Sequence, residues 1–215
     1  MSKLYQECHR RIQETQGTEP LANRLDEMIV HDALNEDDIA FIQSLDYFFL
    51  STVDPTGQPT VSYKAGPKGF VREKDGLLTF PFYDGNGMFL SAGNIDGSGK
   101  IGMLFIDLET PRRLRINGTA RLRPANADDG YPGAKLFAEV EPKAIFVNCP
   151  RYIHKFQRVE TARHVPDEKG EAPLARWKRL DAVNDVIPEK DRSKVDEAGT
   201  IGLEELQEDF EAGRA

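Results

Sequence analysis

Lys64, Arg113 and Arg115 are the cations of this chain whose neighbours invite a chemical reading, because between them runs Tyr83-Asp84-Gly85-Asn86-Gly87-Met88. A phosphate carrying close to two negative charges is met best by Arg or Lys side chains and by backbone N–H groups that glycine leaves accessible. Each residue also has a plainer role. Arg113 and Arg115 stand two apart and share one strand face, which solvation alone explains. Gly85 and Gly87 are common turn residues. Lys64 by itself is a surface lysine, and Phe80 and Met88 are by default core.

Other chemistry finds less support. Gly97, Gly99 and Gly102 fit the letters of a dinucleotide fingerprint, but that motif needs a strand before it and a helix after it, and here a strand is expected to follow. Gly99-Lys100 resembles the end of a phosphate loop, yet Asn94 and Ile101 stand where that loop needs Gly and Ser or Thr. Asn117-Gly118-Thr119 has glycosylation lettering, which matters only in a secreted chain. His9, His31, His154 and His164 lack the paired spacing of zinc sites, so no metal is expected. Cys8 and Cys149 lie too far apart in sequence to frame a small disulfide fold and are read as reduced. No dedicated nucleophile or pair of carboxylates stands out.

The elements that must position these groups can be sketched from pattern. The 215 residues are enough for one domain and an appendage, and 39% hydrophobic with 30% charged residues marks an ordinary globular chain. Apolar runs such as Tyr47–Leu50 are far shorter than the roughly 20 residues of a spanning helix, and Cys8-His9-Arg10-Arg11 breaks any secretory signal. A cytoplasmic protein with no membrane partner is therefore expected. Of the net charge of −8, Asp181–Ala215 carries −7, so the body is near neutral and the tail is acidic. That tail disfavours nucleic acid and reads as a solvated helical appendage.

Residues 1–45 read as helical, with Asn35 as N-cap and Glu36, Asp37 and Asp38 in a first turn where negative charge suits the helix dipole. Ile39, Ile42 and Leu45 recur at helical spacing. From Tyr47 strand formers take over. Asp54-Pro55-Thr56-Gly57 and Asp75-Gly76 mark two hairpins, the second with the positive φ angles of a type I′ turn. A short helix is expected around Met88–Asn94, strands at 101–107, 113–123 and 144–148, and a polar, helix-compatible link before the last. Short strands joined by tight turns imply an antiparallel barrel. Past Cys149-Pro150 the chain turns polar, with Trp177 and Leu180 as helix anchors and Leu203, Leu206 and Phe210 as an apolar stripe.

Three segments together resemble the FMN-binding split-barrel family related to pyridoxamine 5'-phosphate oxidase. They are Phe49–Val53 with its turn and Pro59–Lys64; Leu78-Thr79-Phe80-Pro81 running into Tyr83–Met88; and Pro111-Arg112-Arg113-Leu114-Arg115-Ile116-Asn117-Gly118. The resemblance covers about 46–150. It implies a mainly β fold, a six-stranded antiparallel split β-barrel with N- and C-terminal helices, divided as 1–45, 46–150 and 151–215. It also implies FMN shared at the interface of a homodimer, with Thr60, Val61, Ser62, Tyr63, Lys64, Phe80, Pro81, Asn86, Gly87, Met88, Arg113 and Arg115 as cofactor-binding residues. In that reading Phe80, Pro81, Met88 and the Thr60–Tyr63 strand form an apolar slot for the flat ring.

The activity this resemblance implies is oxidoreduction of a small molecule by hydride exchange through FMN. A non-catalytic FMN store or sensor is the alternative, as is a barrel holding haem or a deazaflavin. Tyr152 and His154, just past the last strand, are candidates to reach a partner's flavin, His154 as proton donor. The chain departs from the oxidase proper in lacking its C-terminal Arg-x-His element: Arg163-His164 has a different spacing, so pyridoxamine phosphate is not the expected substrate.

Overall fold

The structure, a computed structural model, describes residues 2–126 and 129–213. These form two compact units. One runs to Thr161 and takes in Pro166–Gly170; the other holds Ala162–Val165 and the chain from Glu171 onward.

The larger unit opens with α1 (Glu7–Thr15), α2 (Glu19–Ile29) and α3 (Glu36–Ser44). Helix α3 starts where its cap predicts: the Asn35 side chain accepts the Asp38 N–H at 2.9 Å, and Asp38 returns the bond to the Asn35 N–H at 3.1 Å. Asp38 also pairs with His31 at 2.7 Å, and His31 bridges backbone to backbone with Ile145, tying the helical segment to the sheet.

That sheet consists of β1 (Tyr47–Val53), β2 (Pro59–Ala65), β3 (Arg72–Lys74), β4 (Leu77–Phe82), β5 (Lys100–Asp107), β6 (Arg112–Pro124) and β7 (Leu136–Val147), with α4 (Leu90–Ser98) between β4 and β5. The strands run antiparallel in the order β2-β1-β5-β6-β7-β4-β3. The expected mainly β, antiparallel architecture is present, but with seven strands rather than six, in a sheet that is open rather than closed. The three-residue β3, at an edge, is the short first arm of the hairpin expected at Asp75-Gly76.

Strand β7 also begins at Leu136, well before the expected 144. Its inward residues Ala138 and Val140 are buried, while outward Glu139 and Glu141 give the stretch a polar look. Glu139 accepts from Arg121 at 2.8 Å and from Arg123 at 2.9 Å, and Arg123 continues to Asp129 at 2.7 Å. Arg123 and the Asn126 N–H hold the Asp129 carboxyl down at about 2, against an ordinary 3.8. Stabilisation from a depressed carboxyl is present above the ordinary value and lost as pH falls toward the folded one. Asp129→Asn is therefore expected to lower the urea midpoint at pH 7 by an amount worth less than about 1 kcal/mol, since the pair is near the surface, and the difference is expected to shrink as pH falls through about 2.

Although β1 and β4 are separated by three strands in the sheet, the Phe48 ring of β1 lies 5.1 Å from that of Phe80 on β4. The sheet is thus curled on itself. Phe48, Phe80, Phe105, Leu78, Leu114 and Ile116 fill the curl and are essentially inaccessible. Inside α4, Ala92 and Ile95 are buried as well.

The smaller unit contains short 3₁₀ turns at Arg176–Arg179 and Asp181–Val186, then α5 (Glu189–Ala198) and α6 (Leu203–Glu211). Ile187, Val195, Ile201 and Leu206 are buried, and Lys178 meets Asp191 at 2.8 Å out of solvent. The expected stripe on α6 is divided: Leu206 is buried, whereas Leu203 and Phe210 are exposed. Among the described residues no helix is long and apolar enough to cross a membrane, and no group of three His, Cys, Asp or Glu is placed to hold a metal ion.

Candidate functional site

Successive side chains of a strand point to opposite faces, so the run Thr60–Lys64 cannot act as one surface. Thr60, Ser62 and Lys64 sit opposite Thr52, Leu50 and Phe48, all buried inside the curl. Val61 and Tyr63 lie on the outer face and are 69% and 57% exposed.

The inner three meet the start of α4. Its N-cap, Phe89, has a left-handed backbone with φ of 50°, and no side chain caps the helix. The first N–H groups of any helix have no acceptor within it, and that end carries partial positive charge. Here Ser91 Oγ lies 3.1 Å from Ser62 Oγ and accepts from Lys64 Nζ at 3.2 Å.

These groups border a cleft of about 230 Å³, completed by Phe82, Asn86, Met88 and Leu90 among others. Lys64 Nζ also stands 5.3 Å from the Phe82 ring centre. Burial lowers the Lys64 pKa from its ordinary value, and among the described residues the ammonium has no carboxylate partner in a salt bridge. A half-buried cation and an uncapped helix N-terminus thus face one space, an arrangement that favours an anion. In the loop, Asn86 Oδ1 accepts the Met88 N–H at 3.1 Å, and Gly87 turns with φ of 77°. Asn86 therefore shapes the turn. Burial also raises the phenol of Tyr83, at the cleft wall.

The structure brings together Ser62, Lys64, Asn86, Gly87 and Met88 of the expected residues. Thr60 lies one step deeper, bonded to Thr52 and Asn94. Phe80 and Pro81 are buried, and it is Phe82, two residues on and on the same face as Phe80, that reaches the cleft. Arg113 and Arg115 do not join Lys64 in one chain. Arg115 is paired with Leu104, which is paired with Phe49, and that with Tyr63, so this row is the outer face. Arg113 donates to the Cys149 carbonyl at 2.8 Å, and Arg115 lies over the Phe146 ring. Tyr152 and His154 are exposed and are not in the cleft wall.

Phe82 and the run Phe89, Leu90, Ser91 and Ala92 are the contributors that sequence reasoning passed over. For Ser91 a signal existed, because Ser91, Asn94 and Ser98 recur at i, i+3 and i+7 as a polar stripe on one helix face.

No curated protein matches the chain. Among solved structures, the HupZ protein of Group A Streptococcus is 20% identical, with 53% of this chain and 94% of that chain covered and a TM-score of 0.44. A putative pyridoxamine 5'-phosphate oxidase of Lactobacillus delbrueckii is 19% identical, covering 55% and 99%, with a TM-score of 0.43. HutZ, the heme storage protein of Vibrio cholerae, is 20% identical, covering 54% and 94%, with a TM-score of 0.39. The sequence model of pyridoxamine 5'-phosphate oxidase matches residues 35–160, more than half of the chain, and the protein belongs to that family.

Proposed function

We propose that the cleft holds the phosphate of FMN and that the protein is an FMN-dependent oxidoreductase acting on a small molecule. The observation that carries this reading is the convergence of Lys64 and the uncapped first turn of α4, bridged by Ser91, on one space whose described lining residues include no anionic side chain. Lys64 would supply the charge, Ser62 and Ser91 hydroxyl donors, and the amides of the first turn the remaining hydrogen bonds. Among the described residues no His or Cys borders the cleft, so its described walls offer neither of those haem ligands. Among the described residues that line it there is no carboxylate either, which suits chemistry carried by a cofactor. Bound FMN would supply hydride exchange, and the chain's own residues would bind, orient and exclude water.

At about 230 Å³ the cleft is below the usual 300–1,000 Å³ of small-molecule sites. The remainder of the ligand would lie across the rim, where Met88, Phe89 and Leu90 are all more than half exposed. A second copy packed over this rim would cover it. The reading is therefore of a homodimer with cofactor at its interface.

Titration with FMN, followed by flavin fluorescence, is expected to show one site per chain and weaker binding of riboflavin, in a species whose mass by light scattering is twice that of the chain. Faster bleaching of the flavin band by NADH or NADPH than in free FMN supports the oxidoreductase. Yellow but inert protein would favour storage or sensing, and a preparation that takes up no FMN would end the proposal.

A further inference from the structure

Helix α4 is stitched to the β1–β2 hairpin by all three members of its polar stripe. Ser91 at its start meets Ser62 and Lys64. One turn on, Asn94 Nδ2 donates to Thr52 Oγ1 at 3.0 Å and to Thr60 Oγ1 at 3.2 Å, and the two threonine hydroxyls are themselves 3.0 Å apart. Ser98 at the far end donates to the Val53 carbonyl. Thr52 is inaccessible and Asn94 is 8% exposed.

In so dry a place an amide and a hydroxyl are costly to leave unpaired. Sliding or turning α4 along the hairpin would break this cluster. Apolar packing by Ala92 and Ile95 lacks that directional demand, since hydrophobic contact is non-directional. Asn94 is outside the cleft wall, yet it decides where the helix begins relative to Lys64.

We propose that Asn94 is a positioning residue: by pinning α4 to Thr52 and Thr60 it keeps the first turn at the separation from Lys64 at which both engage one phosphate. It thereby sets the preference for phosphorylated over unphosphorylated flavin. This rests on the phosphate reading above and adds the buried group that maintains its geometry.

The test compares FMN and riboflavin affinities of the full chain with those of Asn94→Ala, Thr52→Val, the double variant and Ser98→Ala, each with its thermal midpoint. Thr52→Val keeps the branched shape and leaves Asn94 its bond to Thr60, so it is expected to retain the fold even where Asn94→Ala does not. Thr52→Val and Asn94→Ala are each expected to weaken FMN by about tenfold while riboflavin shifts less than about twofold. The double variant is expected to be little worse than the stronger single, as coupled partners are non-additive. Ser98→Ala, which removes a tether remote from the cleft, is expected to lower the midpoint and leave the ratio of affinities intact.

Parallel losses of FMN and riboflavin, or a ratio unchanged in Thr52→Val, would overturn the positioning role while leaving the phosphate reading standing. A parent chain with no preference for FMN over riboflavin would overturn both.

Discussion

Lys64→Met is expected to weaken FMN binding by about 10- to 100-fold and to leave riboflavin binding nearly unchanged. Removing a hydrogen bond to a charged group costs about 1.5–3 kcal/mol, and each 1.4 kcal/mol is tenfold. Methionine keeps most of the aliphatic stem that packs near Phe82, so the loss reports charge. Folding should not suffer. Burial depresses the Lys64 pKa below its ordinary 10.5: below the folded value the fold carries the penalty of a half-buried ammonium. As pH rises from there toward 10.5 that penalty is relieved, so this group makes the fold more stable with rising pH. Anion binding runs the other way over the same window, because the neutral amine no longer attracts phosphate. FMN affinity of the parent chain should therefore decline on the alkaline side before an ordinary lysine would titrate, and Lys64→Arg, whose guanidinium stays charged, should flatten that limb. Fluorescence titrations with both flavins from pH 7 to pH 10 read these outcomes. Equal losses of FMN and riboflavin in Lys64→Met would mean that the lysine holds the cleft open rather than meeting a phosphate.

How far the site could be read from sequence depended on the range of the interactions involved. Local signals translated directly. Asp54 accepts the N–H groups of Thr56 and Gln58 in the first hairpin turn, Asp75 and Gly76 both take the positive φ a type I′ turn needs, and Asn35 caps α3. Strand pairing over long separations did not translate. Whether Arg113 shares a face with Lys64 depends on the registers of β2 on β1, β1 on β5 and β5 on β6 in succession. A shift of one residue in any of them would move the arginine across the sheet, and no spacing in the chain records that. The start of β7 was hidden for a related reason, since Glu139 is answered by Arg121 and Arg123, partners that only the folded sheet supplies. At the cleft, Phe80 and Phe82 share a strand face, so sequence could name the face but not which ring stands at its open end.

The curl that brings β2 and β4 to one cleft has its own test in Phe48→Ala, expected to destabilise the protein by about 3–5 kcal/mol, the range for truncating a buried aromatic. Phe48 is inaccessible and its ring lies 5.8, 5.1 and 5.2 Å from those of Phe70, Phe80 and Phe105, so it joins β1 and its neighbour β5 to β4 near the other end of an open sheet. Hydrogen bonds between neighbouring strands hold the order of the sheet, but β1 and β4 share none. Ring contact is what joins them here. Lys64 stands directly across from Phe48 in the β1–β2 register, so a cavity at this point lies beneath the ammonium. FMN affinity should fall together with the urea midpoint in Phe48→Ala. In Phe48→Leu, which refills much of the volume, both should recover most of the way, the residual cost being near the roughly 1.5 kcal/mol of a tolerated core swap. A loss in Phe48→Ala below about 1.5 kcal/mol would place the closure of the curl elsewhere, in the packing of α4, because a side chain that truly bridges both arms of the sheet cannot be removed at the cost of an ordinary surface change.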